Sequence, residues 1–462
     1  MIRSRALIAI VSLLSLCACT VGPNYKRPAL TVPDQFRGVA PDASTQPTAK
    51  SFGELKWFEV FQDQTLESLI REALTNNYDL QIAASRVMQA RAVVGIRRAD
   101  QLPSVAAGGS IQNQRSVLYP GAPTFDTISI QASYLVDFWG QYRRASEAAR
   151  ANLIATEFGQ DVVRTSLVTD VASNYFQLRQ FDTQLEYSKK TLEGDKEMLN
   201  LNTIKFKGGE SPQTDVYQAQ LLVEQAEAQI ISLEQSIQQT ENAISVLLGR
   251  NPGPIARGTN LVDQPHLPEV PTGLPSTLLE RRPDVRRSEQ LLVSANANVG
   301  VARAAFFPQF SLTGAFGAQS TSITSFLQGP ATFWAVGGQV LQPIFQGGRI
   351  RSNYQLAWAQ RDEAELAYKQ SVQLAVTDVA SSIVGYAQSR KYRMKIEEQT
   401  QTYFDTARLA NVRFTGGATS FLEVLVTQQQ YFTSQLALAQ AWNSELQSYV
   451  QLYRALGGGW QL

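Results

Sequence analysis

The sequence repeats itself, and this duplication constrains the fold more than any other feature. Placed over itself at an offset of 205 residues, Gly95 falls on Gly300, Ala99 on Ala304, Pro103 on Pro308 and Gly109 on Gly314. Upstream in the same alignment, Leu74 falls on Leu279 and Asp79 on Asp284. At an offset of 208, Phe206 meets Phe414, Gly208-Gly209 meets Gly416-Gly417, Val216 meets Val424 and Leu248-Gly249 meets Leu456-Gly457. The drift between offsets means a short insertion in the second copy. Two copies of one pattern must do the same structural job, so each copy predicts the other. The Pro- and Gly-rich stretch 251–275 separates them.

Within each copy, prolines and glycines mark out the elements. Proline is absent between Thr124 and Ser211 and again after Pro343, which permits very long helices. Helices are expected at about 66–101, 141–206 and 213–248, and again at about 276–306, 348–414 and 421–456. At ~1.5 Å per residue the longest would approach roughly 100 Å, several times the width of a small domain. Val216, Val223, Ile230, Ile237 and Ile244 recur every seventh residue, with Ala219, Ala226, Leu233, Thr240 and Leu247 at the partner positions. That heptad predicts a coiled coil.

Between the first two helices of each copy the period changes to two. Ile128, Ile130, Ala132 and Tyr134 alternate with Thr127, Ser129, Gln131 and Ser133, and Phe310, Leu312, Gly314 and Phe316 alternate with Ser311, Thr313 and Ala315. Such patterning predicts a hairpin at about 104–137 and another at about 309–343, each with one apolar and one polar face. Strands of about ten residues are long enough to cross an outer membrane at a steep tilt. Four strands cannot close a barrel, and an open edge in lipid would leave backbone groups unsatisfied, so several chains must share one barrel.

The N-terminus carries an address. Arg3 and Arg5 precede an apolar run from Ala6 to Ala18, too short to span a bilayer and typical of a secretory signal. Leu16-Cys17-Ala18-Cys19 resembles a bacterial lipobox, which implies lipidation at Cys19, and Thr20, in place of an aspartate, implies passage to the outer membrane. Cleavage before Cys19 leaves 39 basic residues against 40 acidic ones and a single cysteine, so no intrachain disulfide can form.

Composition excludes several functions. Near-neutral charge gives no global reason to bind nucleic acid. A single histidine, His266, rules out a Cys/His zinc cluster and a histidine-based triad. No convergent acidic pair suggests a carboxylate enzyme, and neither metal nor cofactor is expected. The 46 glutamines suit helix faces that meet water without a strong field.

Taken together, these parts resemble the outer-membrane factor family of TolC, OprM and NodT. The resemblance rests on Val21-Gly22-Pro23-Asn24-Tyr25-Lys26-Arg27-Pro28, on Arg282-Pro283-Asp284, and on the paired turns Phe206 to Val216 and Phe414 to Val424. It implies a mainly helical homotrimer, with four strands per chain in a twelve-stranded outer-membrane β-barrel continued by a long periplasmic α-helical barrel of coiled coils. The chain would divide into a signal peptide (1–18), a lipidated equatorial segment (19–65), the first repeat (66–250), a linker (251–275), the second repeat (276–456) and a tail (457–462). The implied function is an exit duct, passively conducting drugs or other small solutes from an inner-membrane pump of RND type through a periplasmic adaptor. Contact with outer-membrane lipid is implied too, and no nucleic acid.

The resemblance also assigns residues. Leu422, Glu423 and Val426 would constrict the pore at the periplasmic gate, Thr214 and Asp215 would bond across neighbouring hairpins, and Gly208, Gly209, Glu210, Gly416, Gly417 and Thr419 would form the tip turns that meet the adaptor. Glu423, repeated around the axis, would form an acidic ring. The sequence departs from the TolC pattern at Phe414, Thr419 and Val426, which implies a gate held more by apolar packing than by salt links. A type I protein-secretion duct and a non-conducting trimeric coiled-coil lipoprotein are the alternatives.

Overall fold

The structure is a computed structural model that describes residues 20–30, 55–113, 124–264, 281–320 and 332–460. Cys19, the turns of both hairpins, the linker from residue 265 onward and the start of the second repeat lie outside those residues. The described elements are α1 (Trp57–Val60), α2 (Gln64–Asn76), α3 (Tyr78–Ala99), β1 (Ser104–Asn113), β2 (Thr124–Val136), α4 (Gln141–Lys207), α5 (Gln213–Leu247), α6 (Pro283–Ala304), β3 (Gln309–Ser320), β4 (Thr332–Leu341), α7 (Arg349–Thr415) and α8 (Phe421–Ala455). Both α4 and α7 run for 67 residues and both α5 and α8 for 35, so the two copies match element by element.

Two compact units are present. The first comprises the described residues 20–30, 85–113, 124–158, 286–320 and 332–371. It holds one antiparallel sheet in the order β1-β2-β3-β4. Register decides what each face carries: Ile130 stands opposite Ala107 and Phe316, Phe316 opposite Trp334, and Leu312 opposite Tyr134. Every apolar position of the period-two pattern therefore falls on one face, while Ser129, Ser133, Ser311 and Gln339 fall on the other. Ile128, Ile130, Phe316, Trp334 and Val336 are all exposed on the chain alone, Val336 to 80 %. An apolar face this open needs a partner or a lipid environment.

In the same unit the segment from Thr20 to Leu30 is strapped along α6. Val21 N donates to Trp139 O at 3.0 Å, Asn296 Nδ2 to Pro23 O at 2.9 Å and Arg144 Nη2 to Asn24 Oδ1 at 2.6 Å. Arg27 grips Glu289 with two 2.6 Å bonds, and the Tyr25 hydroxyl donates to the same carboxylate at 3.0 Å. Gly22 packs so close to Gly300 that a Cβ would fall 2.4 Å from the Gly300 Cα. The shared sequence segment is thus a docked strap, tied by residues far away in sequence.

The second unit comprises the described residues 55–84, 159–264, 281–285 and 372–460. Its core joins the segment before the first repeat, the middle of α4 and the end of α8, with Leu66, Ile70, Tyr175, Leu261, Leu452 and Tyr453 fully buried. Asp63 is its polar hub: it caps α2 through Thr65 N and Leu66 N, and accepts from the Tyr175 hydroxyl at 2.8 Å and from Thr259 N at 3.1 Å. Arg282 ties Asp284, Asp378 and the Ala455 carbonyl together, so the Arg-Pro-Asp motif is a structural clamp at the start of α6.

One expected helix is two. The run expected over 66–101 breaks at Asn77, whose backbone is extended at φ −61 and ψ 129. Its amide explains why: Nδ2 donates to Leu247 O at 2.9 Å, and Oδ1 accepts from Leu80 N at 3.1 Å, capping α3.

Candidate functional site at the hairpin tips

The glycine pairs end α4 and α7 in the same way. Gly209 takes φ +77 and Gly417 φ +74, in the left-handed region that only glycine enters cheaply. Gly209 N donates to Phe206 O at 2.9 Å and Glu210 N to Lys205 O at 2.8 Å; Gly417 N donates to Phe414 O at 3.0 Å and Ala418 N to Arg413 O at 2.8 Å. Both are Schellman caps, which satisfy the last carbonyls of a helix that must reverse at once. Gly249 and Gly457 repeat the device at the far ends of α5 and α8.

The two hairpins meet through a small apolar cluster near the tip. Met198 of α4, Ala219 of α5, Ala410 of α7 and Phe421 and Val424 of α8 are buried together, with Phe414 packed against them. The rings of Phe414 and Phe421 lie 5.8 Å apart, and the Lys205 ammonium stands 4.3 Å from the Phe414 centroid, a cation–π contact from the first hairpin to the second. Phe414, where the TolC pattern has a hydroxyl, therefore joins the hairpins by packing.

Leu422 and Val426 lie one turn apart on α8 and point away from this cluster, 55 % and 42 % exposed. Glu423 stands between them in sequence, and its carboxylate is engaged locally. Arg413 Nη1 reaches Glu423 Oε1 at 3.1 Å, and the Thr419 hydroxyl donates to Oε2. The sequence pattern does not single out Arg413; its position one turn before the Gly416-Gly417 cap is the available signal. Asp215 lies in the first turn of α5, where its charge favours the helix dipole, and Thr214 precedes it. The Pro212 side chain makes no capping bond there. Thus the structure brings Arg413, Thr419 and Glu423 together, and places Thr214 and Asp215 on the other hairpin.

Comparison with known proteins gives these tips a context. The profile of the outer membrane efflux protein family matches residues 69–250 and 274–458, one match per repeat. The solvent efflux pump outer membrane protein SrpC of Pseudomonas putida is 34% identical over 98% of this chain and 97% of its own. The cation efflux system protein CusC of Escherichia coli is 32% identical over 97% of each. Among solved structures, the open state of the Neisseria gonorrhoeae MtrE outer membrane channel superposes with a TM-score of 0.86 at 29% identity, over 96% of this chain and 99% of that one. With both repeats matched and the relatives aligned nearly end to end, the chain belongs to the outer membrane efflux protein family.

Proposed function

We propose that the protein is the passive exit duct of a tripartite efflux system, a homotrimer that closes its barrel from three four-stranded sheets and narrows at the hairpin tips. The observation that carries this is the sheet itself. Its order leaves β1 and β4 as edges, and its register gathers the apolar positions of the period-two pattern on one face. Unpaired edges are intolerable in hydrocarbon, so the edge strands must pair with those of further copies; three copies make twelve strands, an even number within the range of such barrels. Polar positions then line the interior.

At the hairpin tips, Leu422 and Val426 supply an apolar constriction and Glu423 a charge, each repeated once per chain. Gly208, Gly209, Glu210, Gly416, Gly417 and Thr419 form the surface offered to a periplasmic adaptor, which couples the duct to an inner-membrane pump of RND type. Thr214 and Asp215 bond across to a neighbouring hairpin, and the lipid on Cys19 is an additional tether. No catalytic group is required, because the pump does the work. The relatives are named for solvents and for cations, so the cargo is set elsewhere in the assembly and not by this fold.

Planar-bilayer recordings of the purified protein test the reading. The assembly should conduct ions, and the double variant Leu422→Ser, Val426→Ser should conduct more. Heat-resistant trimers with no channel activity in either form would support the coiled-coil spacer instead, and a conducting channel unchanged by the double variant would move the constriction elsewhere.

A further inference from the structure

Where α4 lies against α8, uncharged amides make the bonds. Gln447 Nε2 donates to Ser173 O at 2.7 Å, Asn443 Nδ2 to Gln180 Oε1 at 2.8 Å, Gln180 Nε2 to Gln440 Oε1 at 2.6 Å and Gln184 Nε2 to Leu436 O at 3.0 Å. The ladder advances by helical turns towards the tip and then stops. At its next steps, around Thr191 and Asp195 of α4 and Gln429 and Thr433 of α8, the seam opens into a cavity of about 470 Å³ that α5 walls on the third side.

Among the described residues, Asp195 is the one ionisable residue lining that cavity. It is only 7 % exposed, and among the described residues no hydrogen bond or ion pair reaches its carboxylate. The neighbouring charges are committed elsewhere: Lys196 to Glu227 of α5 at 3.2 Å, Lys190 to Glu186 at 2.7 Å, and Glu224 of α5 accepts from the Gln220 amide at 2.9 Å. Along α8, not one charged residue occurs between Glu423 and Glu445. Burial alone pushes the Asp195 carboxyl up to about 6. Around neutral pH a negative charge therefore faces this half-open cavity with no cation beside it.

The rest of the lining states what would balance it. Leu222 and Leu436 are apolar, Phe432 offers an aromatic face, and Gln229 and Gln429 offer amide oxygens. Carboxylate, aromatic face and neutral acceptors around an apolar floor are the elements that recognise an ammonium group. A divalent metal ion would want about six or more oxygen ligands with several anionic ones, and one carboxylate does not meet that demand. The volume lies within the range of small-molecule sites, roughly 300–1,000 Å³.

We propose that this cavity is a binding site for a small amphiphilic amine, its ammonium on Asp195 and its apolar body against Phe432, Leu222 and Leu436. The site lies within one chain, so it requires neither conduction nor a partner protein.

Calorimetry on the full-length assembled protein in detergent, with 4-phenylbutylammonium as probe and the neutral 4-phenylbutanol as control, tests the assignment. At about pH 8 the ammonium should bind saturably, one per chain, and at least about tenfold more tightly than the alcohol. Asp195→Asn should cost about tenfold or more while leaving the helical circular dichroism unchanged, and Phe432→Ala should weaken binding with Asp195 intact. Lowering the pH to about 5 protonates roughly nine in ten of the Asp195 carboxylates and should weaken binding about tenfold in wild type but not in Asp195→Asn. Equal binding of amine and alcohol, undiminished binding by Asp195→Asn, or no saturable binding to wild type would each overturn the proposal.

Discussion

Arg393 and Glu445 join α7 to α8 away from water, and their separation is the most informative perturbation of the second hairpin. Arg393 Nε meets Glu445 Oε2 at 2.6 Å, with the two side chains only 6% and 8% exposed. The guanidinium also lies 4.2 Å from the Trp442 ring centroid and 2.7 Å from Glu397, which is itself 54% exposed. Desolvating both charges is expensive, so the intact pair contributes little net stability, but removing one partner strands the other at a cost of about 3–5 kcal/mol. Glu445→Leu leaves Arg393 its contacts with Glu397 and Trp442 and should fall at the lower end, about 3 kcal/mol. Arg393→Met leaves a buried carboxylate with no cation and should cost about 4 kcal/mol. The double variant removes both charges and keeps side chains of similar bulk, so it should lie within about 1 kcal/mol of wild type. Urea unfolding followed by far-UV circular dichroism, at one fixed protein concentration because assembly contributes to stability, gives the three differences. A coupling of about 7 kcal/mol is expected. A double variant that loses the sum of the two single losses would refute the reasoning.

Asp195 gives a pH-dependent prediction. Its carboxyl is raised from 3.8 to about 6, so between those values the folded chain holds a proton that the unfolded chain has released. Stability from this group is greatest below about pH 4 and falls by about 3 kcal/mol as pH rises through 6. Asp195→Asn should therefore be the more stable protein at about pH 8 and gain nothing at about pH 4; urea midpoints at the two pH values check this, and a variant weaker at both would count against it. At the caps, Gly417→Ala forces a Cβ into the left-handed region, where nothing lies within 4 Å to clash, so the cost is backbone strain alone, about 1–2 kcal/mol. Gly416→Ala, without a positive φ, should cost far less in the same unfolding assay. Arg413→Ala should leave Glu423 without its cation and increase the cation preference of the channel, read as a shift in reversal potential across a potassium chloride gradient. An unchanged potential would show that Glu423 does not face the conducting path.

Much of the fold is legible because its signals are local. Period-two alternation and the spacing of Pro and Gly place α4, α5, α7, α8 and all four strands within a few residues of where they are found. The break at Asn77 is not legible, since it depends on a carbonyl 170 residues away. Asp63 looks like an ordinary cap until Tyr175 and Thr259 arrive from other elements. The glutamines show as composition, but which of them form the α4–α8 ladder is decided by how the helices face each other. Similarly, Glu423 stands out as the acid near the tip, whereas its partner Arg413 lies across the turn and is paired only once the cap folds α7 back on α8.

The duplicated tips share a backbone and differ in side chains, and that difference separates scaffold from function. Pro212 precedes α5 at φ −74 and ψ 157, and Ser420 precedes α8 at φ −79 and ψ 159. The same path is thus locked by a ring in the first hairpin and left open in the second, a stiffening worth about 0.4–1 kcal/mol through the unfolded chain. Beyond that point the first copy has Thr214 and Asp215, both polar, where the second has Leu422 and Glu423. Exposed apolar residues beside an ion pair that bridges the turn are costly on a surface that only meets water, and reasonable on one that must close against copies of itself. The Arg413–Glu423 pair is half exposed and so worth at most about 1 kcal/mol per chain, small enough to exchange when the hairpin moves. Three such pairs acting together would shift a closed-to-open balance by up to roughly 3 kcal/mol, about a hundredfold. On the proposed reading, weak links repeated by symmetry around the apolar pair Leu422 and Val426 would make a gate that stays shut at rest and opens to a modest force.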